Sequence, residues 1–516
     1  KPDKATLNPD FIEYLNRLKK AERPDGRING YIPAPYRVNF DNFQEGVVAK
    51  AIQQLPDRYD MREEGYVTPI RDQGQFGTCW AFAAIGAIES RWKMLEGEDQ
   101  NFSEKNMVTC SGFERGPNDG GSVEMATAYL TRLDGPLPEA SDPYYTLTEN
   151  STCTVRETPP AYIPEARFLP DDRDEVKRAI MNYGAVSTSM YAGEQRLYYN
   201  GDDYTWYYDG TEPVDHGVLI VGWDDNKTVT GGSAVSGTQG AWIIKNSWGL
   251  NFGEGGYFYL AYADTRVLNY NGIFPHTWQP GGIDSLHHYD ELGMITSLGY
   301  RNEVMYGLTR FDLEAGEQIQ RIGTYINSYG SEIDITIFDG FDSQTNKPVD
   351  PLDSLKKQWI YYPGYHTFNL SSSATGDVYV QVRYRTPGYN YPLPIEMPIA
   401  GYANATIEPS GVNWYSPDGQ QWNAMGNDTE DSRYDLCIRA YTRQSEITAA
   451  FDTENNYYCL ADTILFRDLS SGDISTYNWD FGTDAIPATA SGPGPHKVAY
   501  NTPGNKTIRL KVEGPA

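Results

Sequence analysis

Polar and apolar positions along this chain follow three rhythms. Between Gln73 and Gly97 the apolar residues Ile85, Ile88, Trp92 and Leu95 fall at i, i+3, i+7 and i+10, the period of a helix, and Gly97 supplies a stop. A shorter helix is predicted after Asn8-Pro9-Asp10, where Asn caps and Pro takes the first helical position; Phe11, Tyr14, Leu15 and Leu18 give it an apolar side. Arg23-Pro-Asp-Gly26 breaks that helix, and Tyr31-Ile-Pro-Ala-Pro-Tyr36 should be extended because of its prolines. Another helix is predicted over Asp174–Tyr183, ending at Gly184. The rhythm then shortens to that of strands at Ser187–Met190, Val218–Val221, Ala241–Lys245 and Tyr257–Leu260. Gln279-Pro-Gly-Gly282 reads as a linker. Beyond it, alternating segments such as Ile335–Phe338, Asp377–Val382 and Tyr434–Tyr441 are separated by turn residues, the pattern of a β-sandwich. The expected fold class is α+β, helices first and strands later, followed by two all-β sandwich domains.

Length and charge narrow the picture. At 516 residues the chain exceeds one hydrophobic core. Its formal net charge of −28 argues against nucleic-acid partners, which need a basic patch. No run of about 18 apolar residues is present, so no membrane span is expected. Lys1-Pro-Asp-Lys is followed by polar residues, as in a secreted or surface protein after signal removal. The five cysteines are Cys79, Cys110, Cys153, Cys437 and Cys459, and Cys79 is the natural odd one if four pair.

The candidate chemistry starts at Cys79. A Gly-rich loop, Gln73-Gly-Gln-Phe-Gly-Thr, enters the predicted helix there. Exposed N–H groups and the helix dipole favour an anion at that place, which predicts a lowered thiol pKa and a nucleophile. The bland alternative is a buried structural cysteine on an apolar helix.

The flanks decide between them. Gln73-x5-Cys79-Trp80-Ala81-Phe82 resembles the nucleophile motif of the papain family of cysteine peptidases. The resemblance continues through Leu55-Pro-Asp-Arg-Tyr-Asp-Met-Arg62, Asn101–Cys110 and Asn118-Asp-Gly120-Gly121. It reaches Val214-Asp215-His216-Gly217 and Lys245-Asn246-Ser247-Trp248-Gly249. It implies Cys79 as nucleophile, His216 as base and Asn246 as its orienter. Trp248 would shield the His–Asn hydrogen bond and border the substrate. Gln73 would donate to the oxyanion, with Gln75 a nearby decoy. Gly120 and Gly121 would pair with an extended substrate. Ser122, Val123, Ser189 and Val214, with Asp215 beside them, would line the main specificity pocket and suit a moderate apolar side chain. Asn246 lies 167 residues after Cys79, later than usual. The excess falls in the polar insertion Asp224–Gly240, which a loop absorbs at small entropic cost.

The resemblance also implies a Cys110–Cys153 disulfide, worth roughly 3–4 kcal/mol by loop entropy. A second family bridge is missing at both ends, since Phe76 and Asn118 stand in its positions. The nucleophile loop is therefore expected to be held by packing around Phe76.

Four parts are expected. Residues 1–54 are either a strap packed on the main domain or an autoinhibitory propeptide across the cleft. Residues 55–280 form the peptidase domain, which the resemblance implies is two-lobed, with a helical lobe, a β-barrel-like lobe and the cleft between them. Residues 283–444 loosely resemble a lectin-like domain, on His287-His-Tyr-Asp290, Ser297–Tyr300 and Gly364–Leu370. Residues 446–516 resemble a PKD domain, on Trp479-Asp-Phe-Gly482 and Tyr500-x-x-Pro503-Gly504. His287-His288 lacks the companions of a zinc site, so no metal and no cofactor are expected. Expected partners are protein or peptide substrates and, through the β domains, a glycan or cell surface. The readings weighed against peptidase activity are an adhesion protein whose peptidase domain mainly serves its maturation, and transglutaminase-like acyl transfer, which normally takes Asp where this chain has Asn246.

Overall fold

The computed structural model describes residues 1–17, 26, 28–43, 54–193, 195–232, 238–278, 282–372, 376–403, 411–425, 434–444, 447–453, 463–472 and 474–514. The break expected at Arg23–Asp25, the linker at Gln279–Gly281 and Cys459 lie outside them.

Five helices organise the first half: α1 (Pro9–Arg17), α2 (Cys79–Glu96), α3 (Glu104–Cys110), α4 (Val123–Thr131) and α5 (Arg173–Tyr183). Asn8 caps α1 through its side-chain oxygen, which accepts from the Asp10 N–H at 3.1 Å. α2 ends at Gly97 in the left-handed region, φ 74°. It is buried on nearly every side from Cys79 to Ser90, as expected of a central helix that is apolar all round. One close approach is made by Gly86, where a Cβ would stand 2.8 Å from Leu219 Cδ2. A larger residue would push α2 off the strand behind it.

That strand, His216–Thr228, belongs to the β lobe. The order across the sheet is Ala166–Leu169, Asn271–Ile273, Val186–Met190, His216–Thr228, Gln239–Lys245 and Tyr257–Ala261. Neighbours in this run are antiparallel. The insertion between His216–Thr228 and Gln239–Lys245 is the end of a hairpin, with Thr228 opposite Gln239.

The sheet does not stop at the lobe. Strand Gly364–Ser372 of the next region joins its edge, with Gly364 opposite Arg167 and Tyr365 opposite Ala166. Glu317–Ile326, Ile438–Gln444 and Ser285–His287 follow it, and with the short strands Arg58–Asp60, Tyr199–Asn200 and Thr205–Trp206 the described sheet has 13 strands. The crossing needs a glycine: Gly364 has φ 139°, and a Cβ there would meet the Ala166 carbonyl oxygen at 2.1 Å. A second sheet, built around Val304–Leu313, Ser331–Asp342 and Gly376–Arg385, completes the all-β region. Its strands alternate as half-buried sheets should: Val378, Val380, Val382 and Tyr384 face a core with Ile333, Ile335 and Ile337.

A buried polar joint ties this region to the helical lobe. Arg439 makes four hydrogen bonds to Asp290, from Nε to Oδ1 and Oδ2 at 2.9 and 3.1 Å and from Nη2 to Oδ2 and the carbonyl at 2.8 and 3.0 Å, and donates to Thr131 Oγ1 at the end of α4 at 2.9 Å. The Tyr441 hydroxyl donates to the Thr131 carbonyl at 3.0 Å. The last segment forms two small sheets around Phe466, Trp479, Phe481 and Val498. No helix among the described residues is long and apolar enough to cross a membrane.

The N-terminal segment touches both regions. Asp3–Lys4 pairs with the strand Thr296–Gly299, and Phe11 of α1 packs on Tyr402 at 4.9 Å. Further on, Asn39 and Ser328 form a bridge and Phe43 packs on Tyr329.

Candidate active site

Cys79 opens α2, so its position follows from the loop before it. That loop is held by hydrogen bonds more than by apolar packing. The Tyr144 hydroxyl donates to the Gln73 carbonyl at 2.8 Å and lies 2.6 Å from Thr78 Oγ1. One phenol thus grips both ends of Gln73–Thr78, and Thr78 makes no side-chain cap on α2. Inside the loop, Gln73 Nε2 donates to the Phe76 carbonyl at 2.8 Å, and Ser247 Oγ donates to Gln73 Oε1 at 2.7 Å. Phe76 itself is only half-buried and joins none of the apolar core clusters of the described residues. The expectation of packing around Phe76 is corrected accordingly: its carbonyl, more than its ring, ties the loop. Tyr144 was not singled out from sequence; its one signal is the turn pair Asp142-Pro143 before it.

Sheet register brings the next two groups together. His216 begins one strand and Asn246 follows the end of its antiparallel neighbour, where Leu219 faces Lys245. His216 Nε2 lies 2.9 Å from Asn246 Oδ1. Trp248 stacks on the imidazole at 4.5 Å, rings 26° apart, and Asn246 Oδ1 also accepts from the Ser247 N–H at 2.9 Å. The Gly217 N–H points at Cys79 Sγ at 3.2 Å. Cys79, His216, Asn246 and Gln73 are all buried. Behind Asn246, Arg71 pairs with Glu89 and Glu104 at 2.7 and 2.9 Å. Burial there pushes Lys245 down to about 8 and Glu104 up to about 7.

The thiol differs from the expectation of a lowered pKa. Burial pushes Cys79 up to about 11, opposed by the N–H groups of Gly217 and Gly30. Gly30, one of those two donors, belongs to a segment that the local reading of the helix start did not include.

That segment is residues 28–32, which run through the cleft. The Tyr31 N–H donates to the Asp215 carbonyl at 3.0 Å, the Ile32 N–H to the Gly121 carbonyl at 3.0 Å, and the Gly121 N–H to the Gly30 carbonyl at 2.9 Å. Tyr31 and Gly121 form a parallel bridge. Asn29 Nδ2 donates to Asp215 Oδ2 at 2.8 Å. Gly30 passes so close to the nucleophile loop that a Cβ on it would lie 2.0 Å from the Gly77 carbonyl oxygen. The Ile28 carbonyl lies 3.5 Å from Gln73 Nε2. Residues 28–32 thus lie between Gly121 and Asp215, over the nucleophile loop.

The remaining predicted residues gather at the same place. Gly120, φ 80°, faces the Gly30 carbonyl, and Gly121 lies against the Trp80 ring, where a Cβ would come within 2.4 Å. Ser122 caps α4 by accepting from the Met125 N–H. Val123, Ser189 and Val214 are buried around the cleft, and Asp215 also accepts from the Ala192 N–H at 2.7 Å. Trp248 is covered by His216 and Phe252. Cys110 and Cys153 form a disulfide, closing 43 residues of chain. Among the described residues no cluster of three or more His, Cys, Asp or Glu could hold a metal, and His287 instead bonds Glu317 at 2.6 Å.

Comparison with known proteins adds the following. A family model described as papain family cysteine protease matches residues 55–273, and one described as lectin like domain matches residues 286–442. Procathepsin L of Felis catus is 32% identical over 261 residues, spanning 49% of this chain and 70% of that protein. Cathepsin S of Bos taurus is 37% identical over 221 residues, spanning 40% of this chain and 61% of that one. A crystal structure of the cysteine protease and lectin-like domains of Cwp84, described as a surface layer associated protein of Clostridium difficile, superposes with a TM-score of 0.71. At 22% identity it covers 86% of this chain and 98% of that one. Cwp84 after propeptide cleavage gives a TM-score of 0.65 and covers 75% of this chain.

Proposed function

Because the chain belongs to the papain family of cysteine proteases, we propose that it cleaves peptide bonds within proteins through Cys79, His216 and Asn246. The observation that carries this reading is the 2.9 Å His216–Asn246 hydrogen bond, under the ring of Trp248, beside a thiol 3.2 Å from the Gly217 N–H.

The mechanism follows from the groups present. Asn246 holds the imidazole by Nε2, so His216 exchanges its proton with the thiol at Nδ1. The Cys79 thiolate attacks the substrate carbonyl carbon. The oxyanion is stabilised by Gln73 Nε2 and the Cys79 N–H, and losing one such donor typically costs about 3 kcal/mol of transition-state stabilisation. The C–N bond breaks as His216 passes its proton to the leaving amine, which leaves an acyl-enzyme. Water, deprotonated by His216, then attacks the thioester, and the acid departs with Cys79 restored. Trp248 keeps water off the His–Asn bond and so strengthens it.

Residues 28–32 keep the described form latent. Tyr31 bridges Gly121 where a substrate strand would pair, and the Gly30 N–H meets the Cys79 sulfur. The all-β region carries the recognition of a glycan or protein at a cell surface, in keeping with its lectin-like model and the surface-layer description of the Cwp84 relative.

Labelling with an epoxysuccinyl peptide tests the catalytic reading. The full chain with its strap displaced should be labelled and its Cys79→Ala variant should not. Equal labelling of both would sink the assignment.

A further inference from the structure

The strap crosses the cleft with residues 28–32, but its flanks are seated on the all-β region. Downstream, Ala34 and Tyr36 are buried in one apolar cluster, and its other buried members, Ile283, Met294, Tyr325, Tyr365, Cys437 and Tyr441, all come from that region. The Asn39 N–H donates to the Asn327 carbonyl and the Tyr329 N–H to the Asn39 carbonyl, each at 2.8 Å. Ser328 Oγ donates to Asn39 Oδ1 at 3.1 Å. The Tyr329 ring meets Phe43 edge-on at 5.3 Å, and Asn42 Nδ2 donates to the Pro387 carbonyl. Upstream, Asp3–Lys4 adds a strand to Thr296–Gly299, the Ala5 N–H donates to the Ser297 carbonyl at 2.8 Å, and Arg301 Nε donates to Asp3 Oδ2 at 3.0 Å. The blocking residues are slung between two anchors on the same region.

Resting on the latent-peptidase reading above, we infer that the all-β region is the docking site of the strap and that the cleft opens only when residues 34–43 leave it. The reason is competition. In the cleft the strap is held by backbone hydrogen bonds to Gly121 and Asp215, which an extended substrate offers equally well. Substrate would therefore displace residues 28–32 if they were held there alone. It has nothing to offer the seats of the flanks. An anchored flank makes the return of residues 28–32 intramolecular, at an effective concentration on the order of millimolar, and so keeps the cleft shut against substrate below that level. A single cut ahead of Ile28 leaves residues 34–43 seated and the cleft closed. An extended segment that puts an aromatic side chain in the place of Tyr36 takes the seat from the strap and switches the peptidase on.

The test is the rate at which iodoacetamide alkylates Cys79 in the full chain, followed at that residue by peptide mass. Tyr36→Ala weakens the downstream anchor without altering residues 28–32 and should raise the rate at least about tenfold. Phe43→Ala and Tyr329→Ala, one on each side of the same contact, should each raise it about three- to tenfold. The double variant should do no more than the larger single one, a result that a misfolded region would not produce. Gly30→Val is the reference, because it acts inside the cleft at the contact with Gly77. Fully additive effects of Phe43→Ala and Tyr329→Ala, or unchanged rates in all the flank variants beside a faster Gly30→Val, would overturn the inference and leave latency in place, with the cleft alone holding the strap. A rate unchanged in Gly30→Val as well would overturn the latency reading and this inference with it.

Discussion

Gly30 crosses the nucleophile loop where a side chain would lie 2.0 Å from the carbonyl oxygen of Gly77. Only glycine lets the strap and the loop before Cys79 approach this closely. Overfilling a packed contact costs about 1–3 kcal/mol, so Gly30→Val should lower strap occupancy roughly 5- to 150-fold. The check is the rate of Cys79 alkylation by iodoacetamide in the full chain, which should rise by a factor in that range. An unchanged rate would mean that residues 28–32 do not seal the thiol.

Strap closure should weaken as pH rises. Burial pushes Glu124 up to about 7 against a hydrogen bond with Ser122, and its charge helps hold Tyr31 and Tyr36 of the strap and Tyr402 of the all-β region above their ordinary pKa. In the open form the carboxyl regains water and titrates nearer its ordinary 4.5. Between these values the closed form binds a proton that the open form has lost. Closure is therefore favoured at acid pH and declines through this window, by up to about tenfold per pH unit. Hydrogen-exchange protection of the Tyr31 amide, corrected for intrinsic rate, should fall from pH 5 to pH 7.5, and Glu124→Gln should flatten the slope. Protection that rises with pH would contradict the assignment.

Tyr144 acts on the nucleophile through the loop. Tyr144→Phe removes the hydroxyl that holds Gln73 and Thr78 while keeping the edge-on contact with Phe82 at 4.8 Å. Two lost hydrogen bonds at about 1 kcal/mol each predict a loss of about 1–2 kcal/mol in stability. In the strap-displaced chain kcat should fall about tenfold, with KM little changed, because oxyanion stabilisation suffers more than binding. A fall confined to KM would make Tyr144 a binding residue instead.

The Arg439–Asp290 pair should behave as a buried ion pair whose halves cannot be separated. Both side chains are fully buried. Arg439→Met leaves the Asp290 charge without its partner, and such breaks cost about 3–5 kcal/mol. A urea titration should show the shift. A loss below about 1 kcal/mol would mean that the joint with Thr131 carries little.

The cluster of Cys79, His216 and Asn246 was legible because its signals are local. The residues flanking Cys79, His216 and Asn246 mark them without any knowledge of tertiary contacts, and the period of Ile85, Ile88, Trp92 and Leu95 gave α2 to within its capping glycine. The features that depend on distant partners were not. Glu124 reads as an ordinary acid in a helical first turn, yet its Oε2 is sealed from solvent in the folded chain. The Cys79 thiol reads as activated by its helix, and burial in the folded chain reverses the sign. Tyr31–Tyr36 reads correctly as extended, but its direction through the cleft is set by pairing with Gly121 and Asp215. Gly364–Ser372 alternates like its neighbours and says nothing of meeting Ala166.

That meeting changes where the chain can be cut. A fragment ended at residue 280 would strip Gly364–Ser372 from Ala166–Leu169 and leave a bare strand edge, a template for pairing between copies. Catalytic fragments of that length should associate and precipitate. The lectin-like region serves the peptidase as the end cap of a shared sheet, so the first cut that keeps this edge covered falls after Gln444.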